Sequence, residues 1–526
     1  MNAAKDLYSL LAKTAARWPK KTAYVTGESR LCWREVLDAV DRAADMFWQL
    51  GLRKDDRAAV AMRNSPEFVI AYFAMAKLGA VAVPINFMVT KAAEISFILE
   101  NSACKGVVTE QEFLKNYTGI KTKSPALKFL AAVDAAGVDG VTDFWHALKR
   151  ARRHPETLAA AAAEHDVATI LYTSGTTGHP KGVLLTHHNM VENAKASIHV
   201  LGPTRKDVFM ALLPMFHTFS WTGNVITPML LGAKTLIIKN LTPPKPWLKA
   251  MGREGVSVMI AVPQIYSVLA KEARGLKKYF LKFWSLRRVR LCLSGAAPLN
   301  RTITEHFHKA FGLHILEGYG LTETSPVITI VPPKDRRHGS VGKAIQGVAI
   351  KIMDEAGRHL GHGEEGEICV KGPNITRGYH ANDDATAELF THDGWMKTGD
   401  IGVLDAEGFL FIRDRKKDMV IVKGLKVFPA QIEHVINAHP KVAENAVIGI
   451  PDGTGSETMK CFCVARPDMP LDKAEIMRHI KTHLDAYKRP REVEMVSFLP
   501  KNTLQKVLKR ELLRKELEKR LKAAIT

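Results

Sequence analysis

The chain has 526 residues, 46% hydrophobic and 25% charged, proportions that exclude a disordered, collagenous or coiled-coil polypeptide. At roughly 150 residues per domain, the length implies about three or four domain-sized units and a sizeable core. Lys and Arg number 75 against 54 Asp and Glu, and the formal net charge of +21 favours anionic partners without choosing among nucleotide, coenzyme, membrane surface and nucleic acid.

Leu7 to Arg17 and Trp33 to Leu50 carry helical patterns, followed by a strand at 58–62, a helix from Glu67 to Leu78 and a strand at 80–85. This alternation predicts parallel strands covered by helices. An Ala-rich, charge-punctuated run from Arg150 to His165 reads as a connector or solvated helix, and Val167 to Tyr172 as a short strand. No charge occurs from Val208 to Ala233, a stretch long enough to span a bilayer. Pro214, Gly223 and Pro228 argue instead for a buried helix and an active-site loop, since lipid cannot satisfy the backbone groups they free.

Apolar runs at 256–263 and 289–295 read as buried strands, and Gly-punctuated short strands from Gly339 to Phe411 as a β-rich subdomain. A charged junction, DRKKD at 414–418, precedes a tail of domain size. Leu504, Leu508, Leu512, Leu517 and Leu521 recur near helical spacing, predicting an amphipathic helix. Cys32, Cys104, Cys292, Cys369, Cys461 and Cys463 are too scattered for a disulfide framework and form no CxxC pair. With no apolar signal segment at the N-terminus, the expected setting is reducing and cytoplasmic.

The sharpest local signal is YTSGTTGHPKG at 172–182. Glycines let backbone N–H groups converge on an anion, hydroxyls add donors and Lys181 adds charge, so triphosphate is the natural guest. The Walker spacing is absent, which disfavours a P-loop NTPase. Further along lie GAA at 295–297, EGYGLTET at 317–324, WMKTGD at 395–400 and IRDRKKD at 412–418. PKNTLQKVLKREL closes the series at 500–512.

In this order the motifs resemble those of the adenylate-forming enzymes, which include acyl-CoA synthetases, peptide-synthetase adenylation domains and firefly luciferase. The resemblance implies an α/β fold: an N-terminal domain over 1–412, built of parallel α/β subdomains plus a β-rich one, a hinge at 413–417 and a mobile α+β domain over 418–526. It implies ATP and coenzyme A as substrates and Mg²⁺ as metal. Thr173, Ser174, Gly175, Thr176, Thr177, Gly178 and Lys181 would hold phosphates. Gly295, Ala296 and Ala297 would line the adenine and acyl pocket with Glu317, Gly318 and Tyr319. Thr322 would meet the α-phosphate, Glu323 the metal, and Asp400 and Arg415 the ribose. Lys506 would be the catalytic lysine and Lys417 the hinge. Gln505 departs from the glycine usual before that lysine.

By the same resemblance, PMFHTFSW at 214–221 is similar to the pocket segment of fatty acyl-CoA synthetases, with His217 near the acyl carbonyl and Trp221 either a tunnel gate or a core aromatic. The expected function is ATP-dependent conversion of a medium- or long-chain fatty acid to an acyl adenylate, then to the CoA thioester. An acyl-acyl carrier protein synthetase and a ligase for aryl or short-chain acids are the alternatives, with a nucleic-acid-binding protein more remote because no such module is recognisable. The basic insert at 276–290 is read as a surface helix with aromatics facing the core, or as a seat for an anionic membrane or an acyl carrier protein. A homodimer stays open.

Overall fold

The computed structural model describes the chain except residues 1–5, 123, 152–161, 174–179, 274, 423–424, 452–456, 468, 503–504 and 526. The expected alternation at the N-terminal end is present: helices Leu7–Arg17, Trp33–Gln49 and Pro66–Leu78 alternate with strands that include Arg57–Ala61 and Val81–Pro84. Pro66–Leu78 shows how local sequence sets an element. The Ser65 hydroxyl accepts from the Phe68 N–H, Pro66 opens the first turn, and Gly79, at φ 66°, closes the helix. Apart from Glu67 and Lys77, the latter paired with Asp41, its residues are apolar on every face and almost all buried, as expected of a helix enclosed between layers.

Among the described residues, two large sheets dominate. One has seven strands in the order Thr142–Asp143, Phe129–Val133, Cys104–Glu110, Arg57–Ala61, Val81–Pro84, Val167–Thr173 and Lys181–Thr186, parallel except for the last. The other has nine, with Ile315–Gly320, Leu291–Ser294, Val258–Ala261, Val208–Ala211, Lys234–Ile237 and Thr22–Thr26 running parallel at its centre. A single core joins them, including Trp33, Phe47, Phe68, Tyr72, Phe73, Trp221 and Val225.

The uncharged stretch becomes strand Val208–Ala211, helix Thr218–Trp221, a π-helical turn Thr222–Ile226 and helix Thr227–Leu231, largely buried. Among the described residues, no helix is long and apolar enough to cross a membrane. The six cysteines are free.

The β-rich segment forms an antiparallel sheet of Ala349–Met353, Gly366–Lys371, Met396–Leu404 and Leu410–Arg415. Residues 413–415, expected in the hinge, continue the last of these strands, and the short turn Lys416–Asp418 follows. Beyond it, strands Val442–Pro451, Glu457–Ala465 and Glu492–Met495 pack with helices Pro429–Asn437 and Lys473–His483 around their own core. The terminal helix Lys509–Ile525 forms as expected, but its leucine stripe is not a buried face: Leu512 is buried, whereas Leu517 and Leu521 are exposed. Leu504 and most of the Arg150–His165 run lie outside the described residues.

One glycine is required by contact. A Cβ on Gly106 would lie 2.0 Å from the Phe129 ring, which stacks on Phe47 with centroids 6.0 Å apart. Gly106→Ala is expected to lower stability by about 1–3 kcal/mol, the usual range for overpacking. Phe129→Leu in that background should recover part of the loss. Chemical denaturation of the three proteins checks both expectations.

Candidate active site

In a parallel sheet, ligands bind where the strands end at their carboxyl termini. Ser294 and Glu317, register partners in adjacent strands, mark that end, and Gly318 follows in strand Ile315–Gly320. Gly295, Ala296, Gly318, Tyr319, Gly320 and Thr322 line a cavity that opens from it; Ala297 and Glu317, expected in the pocket, are not among its lining. Ala296 is held at φ 68°, a conformation disfavoured for a residue with a Cβ and one that tends to occur at functional sites. A Cβ on Gly320 would stand 1.8 Å from the Pro326 carbonyl oxygen, so a tight reversal there sets the position of Thr322 and Glu323.

Asp400 is buried and held from two sides. The Tyr319 hydroxyl donates to its Oδ2 at 2.6 Å, and Arg415 Nε lies 3.3 Å from Oδ1. Strand pairing sets the second contact, because Asp400 and Arg415 are register partners. A carboxylate has about four acceptor sites, so both oxygens keep capacity for ribose hydroxyls. Glu317 accepts from the Leu299 N–H at 3.3 Å. Part of its surface is accessible, yet the protein around it costs the charged form its solvation and pushes the carboxyl up to about 8.

Lys181 and Glu323, far apart in sequence, meet through a residue that the motifs did not single out. Lys181 Nζ sits 5.1 Å from the centroid of the Tyr379 ring, and the Tyr379 hydroxyl donates to Glu323 Oε1 at 2.9 Å. Tyr379 is held there because its segment adds to strand Lys181–Thr186: the Leu184 N–H donates to the Gly378 carbonyl and the His380 N–H to the Gly182 carbonyl. Thr173 pairs with Lys181 across the hairpin. Ser174, Gly175, Thr176, Thr177 and Gly178 lie outside the described residues.

His217 also lines the cavity, and burial lowers its imidazole to about 4, so it is neutral at physiological pH. From there the cavity continues between the π-helical turn and the sheet, past Ile260 and Leu293 to Leu291 and Pro203. No charged side chain lines it among the described residues. Trp221 is not in the lining. It is a core aromatic, with ring centroids 4.0 Å from Tyr72 and 5.6 Å from Phe68.

The loop bearing Lys506 reaches the same end of the sheet. Gln264, at the start of the helix that follows strand Val258–Ala261, donates to the Gln505 carbonyl at 3.4 Å. Asn502 closes the loop: its N–H donates to the Lys506 carbonyl and its Oδ1 accepts from the Lys506 N–H, each at 2.9 Å. Gln505 takes φ 61°, the left-handed conformation glycine adopts freely, so the turn is kept without the glycine. Lys417 falls in the turn Lys416–Asp418.

The raised Glu317 carboxyl has a pH consequence. A group whose folded value is above its unfolded one contributes stability that is fully present below about 4.5 and lost as pH rises through about 8. Glu317→Gln is therefore expected to flatten the fall in thermal midpoint between about pH 4.5 and about pH 8. An unchanged slope in that window would show that Glu317 does not titrate there.

Residues 11–380 match the AMP-binding enzyme family and residues 431–506 the AMP-binding enzyme C-terminal domain. The long-chain-fatty-acid–CoA ligase of Salmonella typhimurium is 31% identical over 537 residues, covering 97% of this chain and 94% of that protein. A Mycobacterium tuberculosis 3-[(3aS,4S,7aS)-7a-methyl-1,5-dioxo-octahydro-1H-inden-4-yl]propanoyl:CoA ligase is 33% identical, covering 97% and 99%. The crystal structure of the anthranilate CoA ligase AuaEII with anthranoyl-AMP superposes with a TM-score of 0.88 at 28% identity, covering 97% of each chain. The chain belongs to the AMP-binding enzyme family and is an AMP-forming acid–thiol ligase.

Proposed function

We propose that the acid is an unbranched fatty acid of medium length and that the thiol is coenzyme A. The observation that carries this reading is the uncharged cavity running along strand Leu291–Ser294. A second carboxylate would find no cation there to pair with. From Leu291 to Gly295 the strand advances about 13 Å, at about 3.3 Å per residue. An extended alkyl chain gains about 1.3 Å per carbon from ordinary bond geometry, so about ten carbons fit.

In the proposed reaction a carboxylate oxygen attacks the α-phosphorus of ATP and the bond to pyrophosphate breaks. The CoA thiol then attacks the acyl carbon and AMP leaves. Lys506 would bridge the carboxylate and α-phosphate oxygens, with Thr322 donating to the same phosphate, and charge stabilisation rather than covalent catalysis would carry the step. Neutral His217 would contact the acyl carbonyl. Asp400 and Arg415 would hold the ribose, and Tyr319 would offer its ring to adenine. Lys181 and residues 173–178 would hold the departing pyrophosphate. Glu323 suits Mg²⁺, which takes one or two carboxylates together with substrate phosphates, and the metal would neutralise phosphate charge. Rotation of the C-terminal unit about Lys417 would withdraw Lys506 before the thiol enters.

The aryl and ring-bearing acids named for two relatives give the second reading, and a panel of acids assayed for AMP release with CoA separates the two. A maximum near decanoate is expected; a maximum with anthranilate or a fused-ring propanoate would overturn the fatty-acyl assignment. Release only with a holo carrier protein would replace CoA as acceptor. Lys506→Ala is expected to slow ATP–pyrophosphate exchange by roughly 10²–10³-fold, while supplied acyl adenylate still reacts with CoA. Wild-type exchange in this variant would remove Lys506 from the first step.

A further inference from the structure

The segment Gly275–Ser285 presents Tyr279 and Phe283 to solvent rather than to the core, while Trp284 lies against Gly252. Leu276 is 88% exposed, Tyr279 61% and Phe283 63%, and the Tyr279 and Phe283 rings stack with centroids 6.2 Å apart. The inward positions are taken by Leu281, Ser285 and Leu286. Lys277, Lys278 and Lys282 stand among the exposed aromatics; Lys277 pairs with Glu272 at 2.8 Å, and no Asp or Glu occurs from Gly275 to Arg290. A soluble surface rarely groups so many large apolar side chains unless something covers them.

Topology fixes where this patch lies. Helix Pro263–Glu272 leads back from the carboxyl end of strand Val258–Ala261, and Leu291–Ser294 then starts parallel to it. Gly275–Arg290 therefore sits at the amino end of the sheet, opposite the nucleotide end. Arg205 and Lys206 precede strand Val208–Ala211 at that same end, and the cavity reaches Leu291 and Pro203 there.

We propose that this face seats the protein on an anionic lipid bilayer, with Leu276, Tyr279 and Phe283 entering the acyl boundary and the lysines meeting lipid headgroups. Exposed apolar side chains ringed by Lys match the chemistry of such an interface, where each cation near the surface adds to the attraction. An acidic protein would be read by the lysines alone and would leave the apolar residues without a role.

The test is cosedimentation of the full chain with vesicles of phosphatidylcholine containing one-third phosphatidylglycerol, beside vesicles of phosphatidylcholine alone. Binding to the anionic vesicles is expected, weakened by added salt, with little binding to the neutral ones. Lys277→Glu, Lys278→Glu and Lys282→Glu together should weaken it by roughly a hundredfold. Leu276→Ser, Tyr279→Ser and Phe283→Ser together should do so by at least about tenfold. Unchanged ATP–pyrophosphate exchange with octanoate shows that each variant is folded. Wild-type binding by either variant, equal binding to neutral vesicles, or capture of an acidic carrier protein without vesicle binding would overturn the proposal.

Discussion

Asp400 links two sheets that must agree for the candidate site to exist. Its carboxylate receives the Tyr319 hydroxyl from the nine-stranded sheet and faces the Arg415 guanidinium at the end of the four-stranded sheet. Arg415 is the last residue before the turn that leads into the C-terminal unit. Burial makes this arrangement costly to break, since a carboxylate stripped of its partners would be left without water or countercharge. The carboxyl end of the nine-stranded sheet and the end of the four-stranded sheet are thereby linked.

Around that point the site divides by polarity. Lys181, Tyr379 and Glu323 form a charged chain on one side, while His217 and Glu317 are kept from charging by burial on the other. The cavity beyond His217 has no charged lining among the described residues. Such a division suits a reaction that joins a highly charged nucleotide to an apolar acid, because each substrate meets the environment that costs it least desolvation.

Much of this was legible in the sequence, for reasons that differ by residue. The helix Pro66–Leu78 was expected over Glu67 to Leu78 from its apolar pattern, and Tyr319 and Arg415 lie at or beside the ends of their strands, whereas Asp400 lies in the middle of Met396–Leu404. Tyr379 was not legible: it reaches the site only because its segment pairs with strand Lys181–Thr186, a long-range contact with no local signature. Gln264 was hidden for the same reason. The aromatics at 279–284 left two readings open, core-facing or outward, which only the fold could separate: Tyr279 and Phe283 are exposed, while Trp284 lies against Gly252 and donates to the Lys249 carbonyl. Trp221 was ambiguous until packing assigned it to the core.

The two ends of the nine-stranded sheet have different chemistry, the candidate active site at one and exposed basic and apolar side chains at the other, with the cavity between them. The central claim concerns the nucleotide end: the acid's own oxygen becomes bonded to the α-phosphorus. Decanoate labelled with ¹⁸O in both carboxylate oxygens, turned over with ATP and CoA, tests it by mass spectrometry of the products. One labelled oxygen in AMP and none in pyrophosphate is the expected result; unlabelled AMP, or label in orthophosphate beside ADP, would contradict it.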